Sequence, residues 1–171
     1  KGAEKFSNGD YPGAIKDYSQ AIRLIPSFAW AFNSRGATRR AMGDFDGAFA
    51  DYDEAIRHDS RFSEAYHNKG IAYYFLGDYE NSISCFSEAI RLEPQAESYS
   101  RRATAYSRKG EIDNALKDYT YAIDLDPQHW MAYSNRGNAY YLKKDYKSAL
   151  IDFSSAIDIA SKIQPVPEDL Y

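Results

Sequence analysis

One phrase recurs five times along this chain. "GDYPGAIKDYSQAIRLIP" begins at Gly9, "GDFDGAFADYDEAIRHDS" at Gly43, "GDYENSISCFSEAIRLEP" at Gly77, "GEIDNALKDYTYAIDLDP" at Gly110 and "KDYKSALIDFSSAIDIAS" at Lys144. Successive starts lie 34, 34, 33 and 34 residues apart. A fixed period in this range marks stacked structural repeats and rules out a conventional single-core reading of the 171 residues. A second block precedes each later copy: "FNSRGATRRAM" (32–42), "YHNKGIAYYFL" (66–76), "YSRRATAYSRK" (99–109) and "YSNRGNAYYLK" (133–143). "GAEKFSN" at 2–8 reads as the end of a first such block.

Each unit predicts two helices. In the third copy Ser82, Phe86, Ala89 and Ile90 fall on one helical stripe, as do Ala115, Tyr119, Ala122 and Ile123 in the fourth. The preceding blocks carry stripes of their own, such as Tyr66, Gly70 and Tyr73. A glycine and then an acid separate the two helices, a stop signal followed by a start signal. Pro26, Pro94 and Pro127 stand where the second helix must end. The small residues Gly2, Gly36, Gly70, Ala103 and Gly137 share one column, which lets helices approach closely beside large aromatics. That accounts for most of the 16 tyrosines. A lone helix pair of this size buries too little apolar surface to stand alone, so neighbours must stack.

The same register sets charges opposite one another. Arg35, Lys69, Arg102 and Arg136 form a column on the first helices; Asp17, Asp51, Cys85, Asp118 and Asp152 form one on the second. Intramolecular ion pairs between the two columns are the expectation. Cys85, the only cysteine, replaces an aspartate in a structural column and is read as scaffold. His67 lies on the other helix of its repeat, so no nucleophile–base pair is expected. His58 and His129 sit near repeat junctions without metal-ligand spacing, and no glycine-rich phosphate loop occurs. No catalysis, cofactor or metal is expected. The net charge of −4 argues against nucleic-acid binding, and no apolar run is long enough to span a membrane. Lys1 in place of a methionine, with a shortened first repeat, suggests a piece of a longer protein. The cytoplasm is the favoured compartment, with the periplasm or secretion open if an upstream signal was removed.

These residues together resemble the tetratricopeptide repeat: an aromatic, a small residue and a tyrosine on the first helix, then alanine, aromatic, alanine and a closing proline on the second. The resemblance implies an all-α fold, a right-handed superhelical solenoid with one truncated and four complete helix pairs. The repeats are bounded near 1–28, 29–62, 63–95, 96–129 and 130–161, with an extended proline-containing tail at 162–171. It also implies a non-catalytic interaction scaffold that takes a peptide or protein segment in a concave groove lined by the first helices. A regulatory or targeting module of a larger enzyme or assembly factor is the alternative. RNA binding and a chaperone-tail carboxylate clamp are less favoured. Asn68 and Arg101 match two clamp positions, but Asn33, Ala37 and Glu97 stand where the clamp has lysine, asparagine and lysine.

Carried onto this chain, the groove positions of the family give Trp30, Asn33, Arg40, His67, Asn68, Tyr74, Arg101, Arg108, Asn135, Asn138 and Tyr141 as ligand candidates. Glu64 and Glu97 fall on the same faces. Aromatic and arginine side chains are the usual anchors of an interface, and asparagine offers both a donor and an acceptor to an extended backbone. The tail, with Pro165 and Pro167, is expected to be extended and to offer a route to self-association.

Overall fold

Glycine at a left-handed turn, followed by a side chain that accepts a backbone N–H, marks the start of the second helix in the first three copies; the fourth keeps the glycine without a side-chain cap. Gly9, Gly43, Gly77 and Gly110 take φ between +77° and +83°, which glycine adopts without a steric penalty. Asp10 and Asp44 then accept the N–H groups of Gly13 and Gly47 at 2.9 Å, and Asp78 and Asp145 accept those of Asn81 and Ser148. In the fifth copy the turn is made by Lys144 at φ 63°, the only non-glycine with positive φ among the described residues.

The structure is a computed structural model and describes residues 1–163. It contains ten helices and no strand among the described residues, and it divides after Glu93 into two units. The first holds α1 (Gly2–Ser7), α2 (Tyr11–Leu24), α3 (Ala29–Ala41), α4 (Phe45–His58), α5 (Ser63–Phe75) and α6 (Tyr79–Leu92). The second holds α7 (Ala96–Lys109), α8 (Ile112–Leu125), α9 (Trp130–Leu142) and α10 (Tyr146–Ile163). The division falls at the one repeat spaced by 33 residues. There the helix-starting position held elsewhere by Phe28, Phe62 and His129 is occupied by Gln95, with an extended φ of −121°. The helix α10 runs through Lys162 and Ile163, two residues into the stretch assigned to the tail; residues 164–171, with both tail prolines, lie outside the described residues.

Within each unit every first helix packs on its own second helix, and every second helix on the next first helix. The first helices α3 and α5 also touch directly, as do α7 and α9, whereas the second helices make no comparable contact with one another among the described residues. Stacked pairs whose first helices crowd together curve toward them, so the first helices form the inner face of each unit. The core follows the sequence columns. Ala14, Ala48, Ala115, Tyr52 and Phe86 are fully buried, and Tyr119 almost so. The serine that interrupts the alanine column is buried as well, and its hydroxyl donates to the Gly70 carbonyl at 2.9 Å. The small column is required by contact: a β-carbon on Gly36 would lie 2.8 Å from the Tyr52 ring, and one on Gly137 2.7 Å from Phe153.

The charge columns pair as expected. Arg102 grips Asp118 through two parallel hydrogen bonds of 2.7 and 2.9 Å, and Arg136 grips Asp152 at 2.7 and 2.8 Å. Arg35 does the same to Asp51, which Arg39 also approaches at 2.9 Å. Arg35 and Arg136 reach back as well to Ser19 and Thr120 of the preceding repeat. One guanidinium therefore ties its own hairpin and fastens it to its neighbour. These pairs are largely buried, with aspartate side chains 3–6% exposed, so they are structural cement rather than loose surface ion pairs. In repeat three the column changes partner: Lys69 bonds Asp53 at 2.6 Å, and Cys85 takes the vacated aspartate position.

Candidate functional site

The inner face of the first unit is built by α1, α3 and α5. Trp30, in the first turn of α3, remains 43% exposed and stands edge-on to Tyr18 with ring centres 5.8 Å apart. One helical turn on, Asn33 is buried. It accepts a hydrogen bond from Asn68 Nδ2 at 3.0 Å and donates from its own Nδ2 to Glu64 Oε1 at 3.1 Å. A carboxylate only accepts, so Glu64 forces Asn33 to present its NH2, and Asn33 in turn forces Asn68 to present its own. The relay therefore has one direction and ends on Glu64.

Farther along the face, the Arg40 guanidinium lies 5.8 Å from the centre of the Phe75 ring. It also opposes the burial that pushes the Tyr52 phenol up to about 12. His67 meets the Phe86 ring edge-on at 5.4 Å, and Tyr74 packs between Phe75 and Tyr79. A cleft of about 220 Å³ opens beside α3, lined by Phe6, Ser7, Tyr18, Trp30, Asn33 and Glu64 among others.

The inner face of the second unit, built by α7 and α9, is organised around another glutamate. Glu97 accepts from Arg101 Nε at 2.6 Å, and the buried His129 places Nε2 3.2 Å from its second oxygen. That second approach is close but poorly aligned for a hydrogen bond. Contact with His129 still does most to hold the Glu97 carboxyl down, at about 2; burial works against it and the Arg101 charge with it. Asn135, half-buried, lines a small cavity of about 50 Å³ beside this group. Asn138 and Arg108 are exposed, and Tyr141 is exposed while packing edge-on against Tyr146.

The structure thus brings Trp30, Asn33 and Asn68 together, with Arg40, His67 and Tyr74 farther along the same unit. Arg101 and Asn135 meet in the second unit. Asn33 is buried and bonded to Glu64 and Asn68, so it is not exposed on the inner face as the groove assignment expected. Sequence reasoning did not assign Phe6, Tyr18 or His129 to the inner faces. The register held a signal for His129, which stands at the helix-starting position where earlier repeats have Phe28 and Phe62. Cys85 is not part of either face; burial pushes its thiol up to about 11, which leaves it neutral and unreactive near pH 7. No cluster of residues fit to hold a metal ion occurs among the described residues, and no described helix is long and apolar enough to cross a membrane.

Stacked helical hairpins with a free inner face define an α–α repeat protein. More narrowly, the chain belongs to the tetratricopeptide repeat family: models described as tetratricopeptide repeat match residues 63–95 and 100–162, and one described as TPR repeat matches residues 2–43. Among solved structures, MamA is similar at 26% identity over 95% of both chains, with a TM-score of 0.83. PilF of Pseudomonas aeruginosa is similar in fold at 18% identity, over 92% of this chain and 72% of that one, with a TM-score of 0.87. YrrB, described as a TPR protein with an unusual peptide-binding site, shares the fold at 22% identity, over 92% of this chain and 82% of that one, with a TM-score of 0.73. No curated protein matches the chain. As a member of this family the chain is a protein–protein interaction module.

Proposed function

We propose that the inner, first-helix faces bind an extended stretch of another polypeptide, and that the chain acts by this binding rather than by catalysis. The observation that carries this reading is the contrast between the two sides of each hairpin. The ion column between the helices satisfies its charges internally, with every guanidinium–carboxylate pair closed in two bonds. The inner faces instead present Trp30, Tyr141, Asn138 and Glu64 to solvent. Exposed aromatic side chains beside amides suit an extended peptide, whose backbone needs donors and acceptors and whose side chains need apolar pockets. Asn68, Arg40, His67, Tyr74, Arg101, Arg108 and Asn135 complete the proposed contact surface.

The test is to select 12-residue peptides from a random displayed library and to titrate them into isotopically labelled protein. Chemical-shift changes concentrated on α3, α5, α7 and α9 support the reading. Changes confined to α4, α8 and α10, or a library that yields no binder, overturn it.

A further inference from the structure

We infer that the cleft beside Trp30 receives a positively charged side chain, lysine or arginine, of the bound peptide, with Glu64 as its counter-ion. This rests on the peptide-binding reading above and adds the chemistry of one ligand residue.

The inference comes from comparing two carboxylates at the same place in the repeat. Glu64 and Glu97 each stand two residues before the tyrosine that starts the recurring first-helix block of their repeats, Tyr66 and Tyr99. Glu97 is neutralised within its own unit: Arg101, one turn on, holds one oxygen and His129 approaches the other. At the place of Arg101, repeat three has Asn68, which bonds Asn33 instead. At the place of His129, the shorter junction puts the neutral Gln95. Among the described residues of the first unit Glu64 has no cationic partner, and its hydrogen bond comes from the neutral amide of Asn33.

The surroundings fit a cation and not an anion. Among the described residues Glu64 is the only charged one lining the cleft, and at the end of the Asn68–Asn33–Glu64 relay its carboxylate keeps lone pairs free to accept. The Trp30, Tyr18 and Phe6 rings line the same cleft. Aromatic rings attract a cation to their faces and cover the methylene stem of a lysine or arginine. Lys1 and Asp17 line a neighbouring cleft that shares Tyr18 and Trp30, and Asp17 is paired with Lys5 at 2.9 Å. An amino terminus carries the same charge as a lysine but not the long apolar stem that the ring-lined cleft would cover, so a side chain is the assigned occupant.

The experiment uses the library selection on wild type and on Glu64→Gln, which removes the charge and keeps the shape. Wild type is expected to enrich lysine or arginine at one fixed position, and Glu64→Gln to lose that enrichment. For a selected lysine peptide, acetylating that lysine and making Glu64→Gln should each weaken binding about tenfold. The acetylated peptide probes the ligand side without altering the protein, so a folding defect in the variant does not confuse the result. Peptides that bind the inner faces without a preferred cation, or that ignore Glu64→Gln, overturn this inference and leave the peptide-binding reading standing. Binding lost on acetylating the peptide's amino terminus, and not its lysine, also overturns it. If no peptide binds at all, both readings fall.

Discussion

Glu64 in the first unit and Glu97 in the second occupy the same place in their repeats, on the same kind of helix, and do different things. Glu97 is closed off by Arg101 and His129, and its carboxyl is held at about 2. Glu64 meets one amide and faces a ring-lined cleft. The difference lies in two neighbours: an asparagine one turn along in place of arginine, and a junction one residue shorter. In a repeat array the fold fixes where a side chain stands, while single changes around it decide whether its charge is spent on the fold or left for a partner. The guanidinium column gives the opposite case, because Arg35, Arg102 and Arg136 repeat one solution with little variation.

That column provides the largest test. Arg136→Met leaves Asp152 buried and uncompensated and should destabilise the protein by about 3 kcal/mol in urea denaturation. Changing Asp152→Leu as well should recover most of the loss, because the stranded charge is then gone. Arg35→Met should cost about half as much, since Arg39 still reaches Asp51. Equal costs in the two repeats would show that Arg39 contributes nothing.

The next effect sharpens the comparison of the glutamates directly. Asn68→Arg gives Glu64 the neighbour that Glu97 has, one turn along the helix. A lysine-bearing peptide should then bind about tenfold more weakly while its acetyl-lysine form changes little, and the denaturation midpoint should fall because the buried Asn33 loses its Asn68 donor. Unchanged binding would mean that Glu64 does not contact the ligand's cation.

The smallest expected effect is on Glu97. Its carboxyl is depressed in the folded protein, so its contribution to stability is fully present above its usual value of about 4.5 and is lost as pH falls toward about 2. The Glu97 side chain is 40% exposed, and screening reduces the contribution to about 1 kcal/mol. Glu97→Gln should be less stable than wild type by that amount at pH 6, with the gap closing toward pH 2. A gap that stays constant with pH would show that packing, and not charge, makes the difference.

Much of this architecture is legible in the repeats themselves. Five aligned copies give the helix pairs, and the register alone pairs Arg102 with Asp118 and marks Cys85 as a substituted aspartate. The turn chemistry is legible too, except at Lys144, which takes the left-handed turn that glycine makes in the other four copies. What the register does not show is how closely neighbouring first helices approach. Asn33 lies 35 residues from Asn68 and 31 from Glu64, and only the curvature of the first unit brings the three into one relay. His129 reaches Glu97 across a similar span. Groove positions can therefore be assigned by homology of place, whereas the division of those side chains between the fold and a ligand depends on contacts that form only after stacking.

A calorimetric double-mutant cycle goes to the centre of the account. It titrates one library-selected peptide, with its lysine free or acetylated, into wild type and Glu64→Gln. If the carboxylate and the ammonium meet in the cleft, either change alone removes their contact, and the second adds almost nothing to the first. If the two losses simply add, or if neither change weakens binding, Glu64 is an ordinary hydrated acid and the cleft does not read charge.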